Sequence, residues 1–252
     1  MPPVGNDIVD LAAPGNPGKS MDGRFLGRVF TTEERALIAG SSRPDALLWA
    51  LWAAKEAAYK AVSRGNPAAC SIPRQYRVVL DTDGLVKSRE FTTNVISAKT
   101  GIRKYQRVTK SLDPGFRRGD DFLPVCQGNA VGTAALLTGK VITPGGELAL
   151  RIAMETDRVH ALAADSEAAL DRLCRHVEDL DVAGDPSAFI RGRLLREIAR
   201  RLDCPVGDLS VVKNPDGPGA PGLLFRGRIL AAEFSLSHDG RFAAFAFDPA
   251  TL

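Results

Sequence analysis

Apolar residues recur along this chain with two periods, and the switches between them set out its elements. Val4, Ile8, Val9 and Leu11 predict a short strand over Val4–Leu11, and the Pro- and Gly-rich segment Ala12–Lys19 reads as a loop. Arg24–Phe30 reads as a short helix. Thr31 or Thr32 then caps another, with Glu33 and Glu34 in its first turn, where a helix favours negative charge. Leu47, Leu48, Leu51, Ala54, Ala58 and Val62 fall at helical spacing and predict a helix from Pro44 to about Ser63, stopped by Gly65-Asn-Pro67. A β-rich stretch follows. Tyr76–Leu80 and Leu85–Phe91 flank the hairpin turn Asp81-Thr-Asp-Gly84, Asp113–Asp121 reads as a polar surface insertion, and Asn129–Leu137 as a buried strand. Thr143-Pro-Gly-Gly146 carries the strongest linker signal. Beyond it come strands at Leu148–Met154 and Val159–Ala164, a helix over Pro186–Leu202, a Gly/Pro loop at Asn214–Pro221, and strands at Gly222–Phe225 and Phe242–Phe247. The expected fold class is α+β. Two similar subdomains, 1–142 and 147–252, each pair a small antiparallel sheet with a long helix as a pseudo-dimer.

Composition narrows the partners. At 252 residues, 44% hydrophobic and 25% charged, the chain holds enough apolar material for a sizeable core. A net charge of +3 suits an anionic ligand or an acidic partner and is too small to argue for nucleic acid. The cysteines at 70, 126, 174 and 204 are scattered, with no Cys-x-x-Cys pair or Cys/His cluster, which speaks against zinc and for a reducing, cytoplasmic location. The first residues lack the basic and apolar regions of a signal peptide, and no apolar run approaches the roughly 20 residues of a membrane span.

Four segments carry candidate chemistry. Trp52, Glu56 and Lys60 are spaced i, i+4, i+8 and share one helical face. Glu56 and Lys60 read either as a surface ion pair or as site groups, and the small residues around them (Ala53, Ala54, Ala57, Ala58, Ala61) let a backbone or a ligand come close. Asp7 lies in an apolar strand and either ends it at a site or caps a turn, whereas Asp10 reads as a turn or cap residue. His238, after Ser235-Leu-Ser237, is either a hydrogen-bonded structural histidine or a ligand contact. Arg193, Arg196 and Arg200 form a basic stripe beside Leu195, Ile198 and Leu202, either a solvated helix face or a phosphate site.

Together these segments resemble the 4'-phosphopantetheinyl transferase superfamily. Gly5-Asn-Asp7 and Trp52–Lys60 match its Gly-x-Asp strand and Trp-x-x-Lys-Glu-Ala-x-x-Lys helix at the family's spacing, and Phe25–Glu34 is similar to the matching region of the small holo-acyl-carrier-protein synthases. Arg191–Leu202, the loop 214–221 and Phe234–Phe242 resemble the N-terminal half of the larger, surfactin-type transferases, so the two halves stand in permuted order, with Thr143–Gly146 joining the former ends. Two positions depart from the pattern. Val9 stands where the surfactin type has a second acid, and Gly217-Pro-Gly-Ala-Pro221 lacks the family's loop lysine, for which Lys213 is a substitute; residues 88–185 match weakly.

The resemblance implies transfer of phosphopantetheine from coenzyme A to a serine of an apo acyl or peptidyl carrier protein, with release of 3',5'-ADP. It implies Mg²⁺ held by Asp7 and Glu56 as the two protein ligands, with Lys60 neutralising the reacting phosphate. Glu56, directly or through water on the metal, takes the serine proton. His238 is expected on the pyrophosphate, with Ser237 and Lys55 nearby, and Arg193 and Arg196 as further coenzyme A contacts. Arg24 and Arg28 are docking candidates for an acidic carrier. A monomer suffices for a composite site within one chain. The competing readings are a degenerate module that binds coenzyme A or a carrier without turnover, a metal-dependent phosphohydrolase, and an Arg-rich nucleic-acid binder.

Overall fold

A computed structural model describes residues 3–66, 68–81, 135–180, 184–212 and 221–252. In chain order the elements are β1 (Val4–Asp10), α1 (Gly23–Val29), α2 (Thr32–Gly40), α3 (Pro44–Gly65), β2 (Arg77–Leu80), β3 (Ala135–Thr143), β4 (Gly146–Met154) and β5 (Arg158–Ala164). They continue with α4 (Glu167–Arg172), β6 (Cys174–Asp179), α5 (Pro186–Arg201), β7 (Leu209–Val212), β8 (Gly222–Phe225), β9 (Arg228–Leu230), β10 (Phe234–Asp239) and β11 (Phe242–Phe247). The architecture is α+β, with every strand pairing antiparallel. The expected strand at Leu85–Phe91, the tip of the turn at Asp81–Gly84, the insertion at Asp113–Asp121 and most of Asn129–Leu137 lie outside the described residues.

One sheet runs β1-β5-β4-β3-β2, a second runs β10-β11-β6, and a third, small one runs β7-β8-β9. This corrects the linker expectation. Thr143 pairs with Gly146, so Thr143-Pro-Gly-Gly146 is the tight turn of the β3–β4 hairpin. β4 and β5 then continue the first sheet to Ala164, past the boundary expected at 142–147. A Pro-Gly-Gly run serves a two-residue turn as well as a linker. Gly146, at φ +123, needs the freedom only glycine has.

β1 is covered on both faces, and strand alternation sorts its side chains between them. Val9 joins the core under α3. Val4 packs with Leu162, Leu170 and Ala246, and Ile8 with Phe242 and Ala244, all between the first and second sheets. On the far face of the second sheet, Phe245 and Phe247 pack with Ile190, Leu194 and Ile198 of α5. The layers are therefore α3, first sheet, second sheet, α5.

The alanines of α3 explain why β1 comes so close. Ala53, Ala54, Ala57, Ala58 and Ala61 are fully buried. A Cβ on Gly5 would run into the carbonyl of Ala57, with the Ala61 nitrogen 3.0 Å away. What these small residues admit is the β1 backbone, not a ligand, and this fixes glycine two residues before Asp7.

At the start of α2, Thr31 and Glu34 form a capping box, Glu34 N–H donating to Thr31 Oγ1 at 3.3 Å and Thr31 N–H to Glu34 Oε2 at 2.8 Å. Trp52 lies against Phe25 and Trp49, with ring centroids 5.9 and 6.2 Å apart, and wedges α1 onto α3 one turn before Glu56.

Candidate active site

The seam between the two sheets gathers the charged groups. Asp7 leaves β1 toward α3, and Lys60 Nζ donates to Asp7 Oδ1 at 2.7 Å, to the Asn6 carbonyl at 3.1 Å and to the Leu236 carbonyl of β10 at 3.4 Å. One ammonium thus joins a helix and the edge strands of two sheets. Glu56, one turn earlier on α3, makes no ion pair or hydrogen bond among the described residues. The surface-pair reading of Glu56 and Lys60 therefore fails, because the carboxylate on β1 has taken the lysine.

Electrostatics couples the two acids. Burial pushes the Asp7 carboxyl above its ordinary value, Lys60 pulls it back, and the charge of Asp239 adds to the push. Burial also raises Glu56, the Asp7 charge raises it further, and Lys60 offsets part of this. Two partly buried carboxylates that destabilise each other's charge form a donor set that a hard divalent cation would relieve. The pair fits Mg²⁺. Among the described residues no three His, Cys, Asp or Glu side chains converge, so the remaining oxygen donors would come from ligand and water.

Asn6, between the two family-pattern residues, was missed from the sequence and is the hub of the seam. It is fully buried. Its N–H donates to Ser235 Oγ at 2.9 Å, its amide to the Ser235 carbonyl at 2.5 Å, and its Oδ1 accepts from Ser237 Oγ at 2.6 Å. A polar residue inside an apolar strand pattern was the available signal, since a buried amide has to find partners. Ser237, expected near the pyrophosphate, has its hydroxyl buried and donating to Asn6. Lys55, expected there as well, is buried on another face of α3, with Nζ donating to Glu34 Oε1 at 2.8 Å, to the Pro73 carbonyl at 3.1 Å and to the Tyr76 carbonyl at 2.5 Å.

His238 is exposed on β10, and alternation turns it away from the face that carries Ser237 and Asp239 toward β1. It shares a cross-strand row with Ala243 and Glu178. Glu178 accepts from Arg193 Nε at 2.6 Å and lies 2.7 Å from His176 Nε2. Arg193 thus lies on the His238 side of the second sheet, paired with Glu178 and 5.3 Å from the Phe189 ring, while Arg196 is exposed. Both belong to α5, which packs on the face of the second sheet opposite β1. The structure does not bring them to the acids. The loop 214–220 and Lys213 lie outside the described residues.

A second latch closes the seam at its other end. Arg241 Nε and Nη2 donate to the two Asp10 oxygens at 2.8 and 2.7 Å, its backbone N–H adds a bond of 3.0 Å, and Ala12 N–H donates from the turn that Asp10 was expected to cap. Arg241 holds the Asp10 carboxyl down to about 2. A depressed carboxylate stabilises the fold above its unfolded value and loses that contribution as pH falls through its folded one. Asp10→Asn is expected to lower stability by roughly 1–2 kcal/mol near neutral pH, with the gap to wild type closing as pH falls below about 4. Urea unfolding at several pH values checks this.

Residues 3–103 match the family model of the 4'-phosphopantetheinyl transferase superfamily. No curated protein and no solved structure matches the chain.

Proposed function

We propose, from the match of residues 3–103 to the family model of the 4'-phosphopantetheinyl transferase superfamily, that the chain transfers 4'-phosphopantetheine from coenzyme A to a serine of an apo acyl or peptidyl carrier protein, releasing 3',5'-ADP. The observation that carries this reading is the meeting of Asp7, Glu56 and Lys60 at a seam whose other wall is the Ser-His strand β10. The family's motif residues are far apart in sequence, and here they share one electrostatic environment.

Asp7 and Glu56 would hold Mg²⁺, which when bound supplies positive charge against the pyrophosphate. The chain's own groups do the rest. Lys60 offers an ammonium to the reacting phosphate, where charge grows during in-line attack. Glu56 has no competing partner among the described residues, so its carboxylate is available to take the serine proton at Oε. His238, exposed on the face of β10 turned away from β1, is assigned no contact in this reading. Arg24 and Arg28, exposed on α1, are the proposed contacts for an acidic carrier.

The permuted pseudo-dimer belongs to the same reading. It is supported by the proximity of the start of β1 and the end of β11, since Val4 and Ala246 share one buried cluster. Asp7, Lys60 and Leu236 come from a single chain, which makes a monomer sufficient. Among the described residues Cys70 and Cys204 carry free thiols, which suits a reducing cytosol.

The test is chromatographic release of 3',5'-ADP from coenzyme A. The expected result is release only when both Mg²⁺ and an apo carrier are present. Release without any carrier would favour a phosphohydrolase and overturn the reading.

A further inference from the structure

The ammonium of Lys60 has three N–H donors. Three acceptors surround it: Asp7 Oδ1 at 2.7 Å, the Asn6 carbonyl at 3.1 Å and the Leu236 carbonyl at 3.4 Å. Every proton of Lys60 is therefore used inside the protein, and none is left for a phosphate. The strongest of these partners is one of the two carboxylates assigned to the cation. A divalent ion and an ammonium on the same carboxylate repel each other, and burial of the Asp7 side chain (13% exposed) limits the screening that would soften the conflict.

We propose that Lys60 is the resident counter-ion of the Asp7–Glu56 pair in the ligand-free protein, so that a divalent cation enters only together with the phosphate ligand that draws Lys60 off Asp7. This rests on the transferase reading in taking Asp7 and Glu56 as the metal's carboxylates. The bond to Leu236 is the longest of the three, so that proton turns to an incoming phosphate first. The bond to Asp7 is the one whose release frees a carboxylate oxygen. The binding order follows: coenzyme A before or with the metal, and not the metal alone.

The experiment is titration of the full chain with Mn²⁺ in the absence of coenzyme A, with free Mn²⁺ read by electron paramagnetic resonance. Lys60→Met is expected to bind Mn²⁺ about tenfold or more tighter than wild type, because one positive charge has left the pair. Lys60→Gln, which keeps a donor for the carbonyls but no charge, is expected to show the same gain and serves if Lys60→Met does not fold. Adding Asp7→Asn to either variant is expected to abolish the gain. Unchanged or weaker Mn²⁺ binding in a folded, charge-free variant overturns the inference. Failure of the transferase reading would appear elsewhere, as a wild-type protein that leaves every carrier unmodified whatever the Mn²⁺ titration shows.

Discussion

Glu56→Gln is expected to slow phosphopantetheine transfer by about 10²–10⁴ while leaving the thermal midpoint at or above that of the wild type. The two halves of this expectation have one cause. Burial and the neighbouring Asp7 charge both raise the Glu56 carboxyl, so its ionised form is held at a cost to stability. Replacing it with an isosteric amide removes that cost and breaks no hydrogen bond among the described residues. A loss of rate in a protein of undiminished stability is then a loss of chemistry. Measured side by side, a transfer time course and a melting curve decide it, and near-wild-type transfer would remove Glu56 from the mechanism.

Lys55→Met is expected to give the opposite pattern, with a large loss of stability that is structural in origin. Lys55 and Glu34 are both 1% exposed, and the carboxylate also accepts from Val78 N–H at 2.8 Å and from Thr31 N–H at 2.8 Å. Burial lowers the Lys55 ammonium from its ordinary value, and Glu34 supports it. Breaking such a pair from one side leaves a buried carboxylate without its counter-charge, which costs about 3–5 kcal/mol. That is a large part of the roughly 5–15 kcal/mol that holds a typical domain together. Denaturant unfolding should show the loss, and adding Glu34→Gln should recover part of it. Unchanged stability with weaker coenzyme A binding would return Lys55 to the ligand site.

Lys55 and Lys60 show what was legible in the sequence and what was not. Helical periodicity gave α3 and the shared face of Glu56 and Lys60, and strand alternation gave β1, β4, β5 and β11. The family pattern then named Asp7, Glu56 and Lys60, which the structure brings together. Neither signal says which way a neighbouring element approaches the helix. Lys55 adjoins Glu56 in sequence, yet the step of about 100° per residue turns it toward α2 and the buried Glu34. Ser237 adjoins His238, yet alternation turns it inward to Asn6. Thr143–Gly146 was misread because turn chemistry does not distinguish a hairpin from a linker. The short elements α4, β6, β7 and β9 were also missed, because runs of six residues or fewer carry little periodicity. Asn6, Asp10 and Arg241 became important only when β1 met the β10–β11 hairpin, a pairing of segments about 230 residues apart.

The most direct test of the account is intact-mass spectrometry of apo acyl and peptidyl carrier proteins incubated with this protein, coenzyme A and Mg²⁺, with an EDTA control. The account predicts a carrier that gains the mass of one phosphopantetheine, only when the metal is present and only when its acceptor serine is intact. Coenzyme A that binds measurably while every carrier keeps its original mass would contradict it, and would make the seam around Asp7, Glu56 and Lys60 a binding site without turnover.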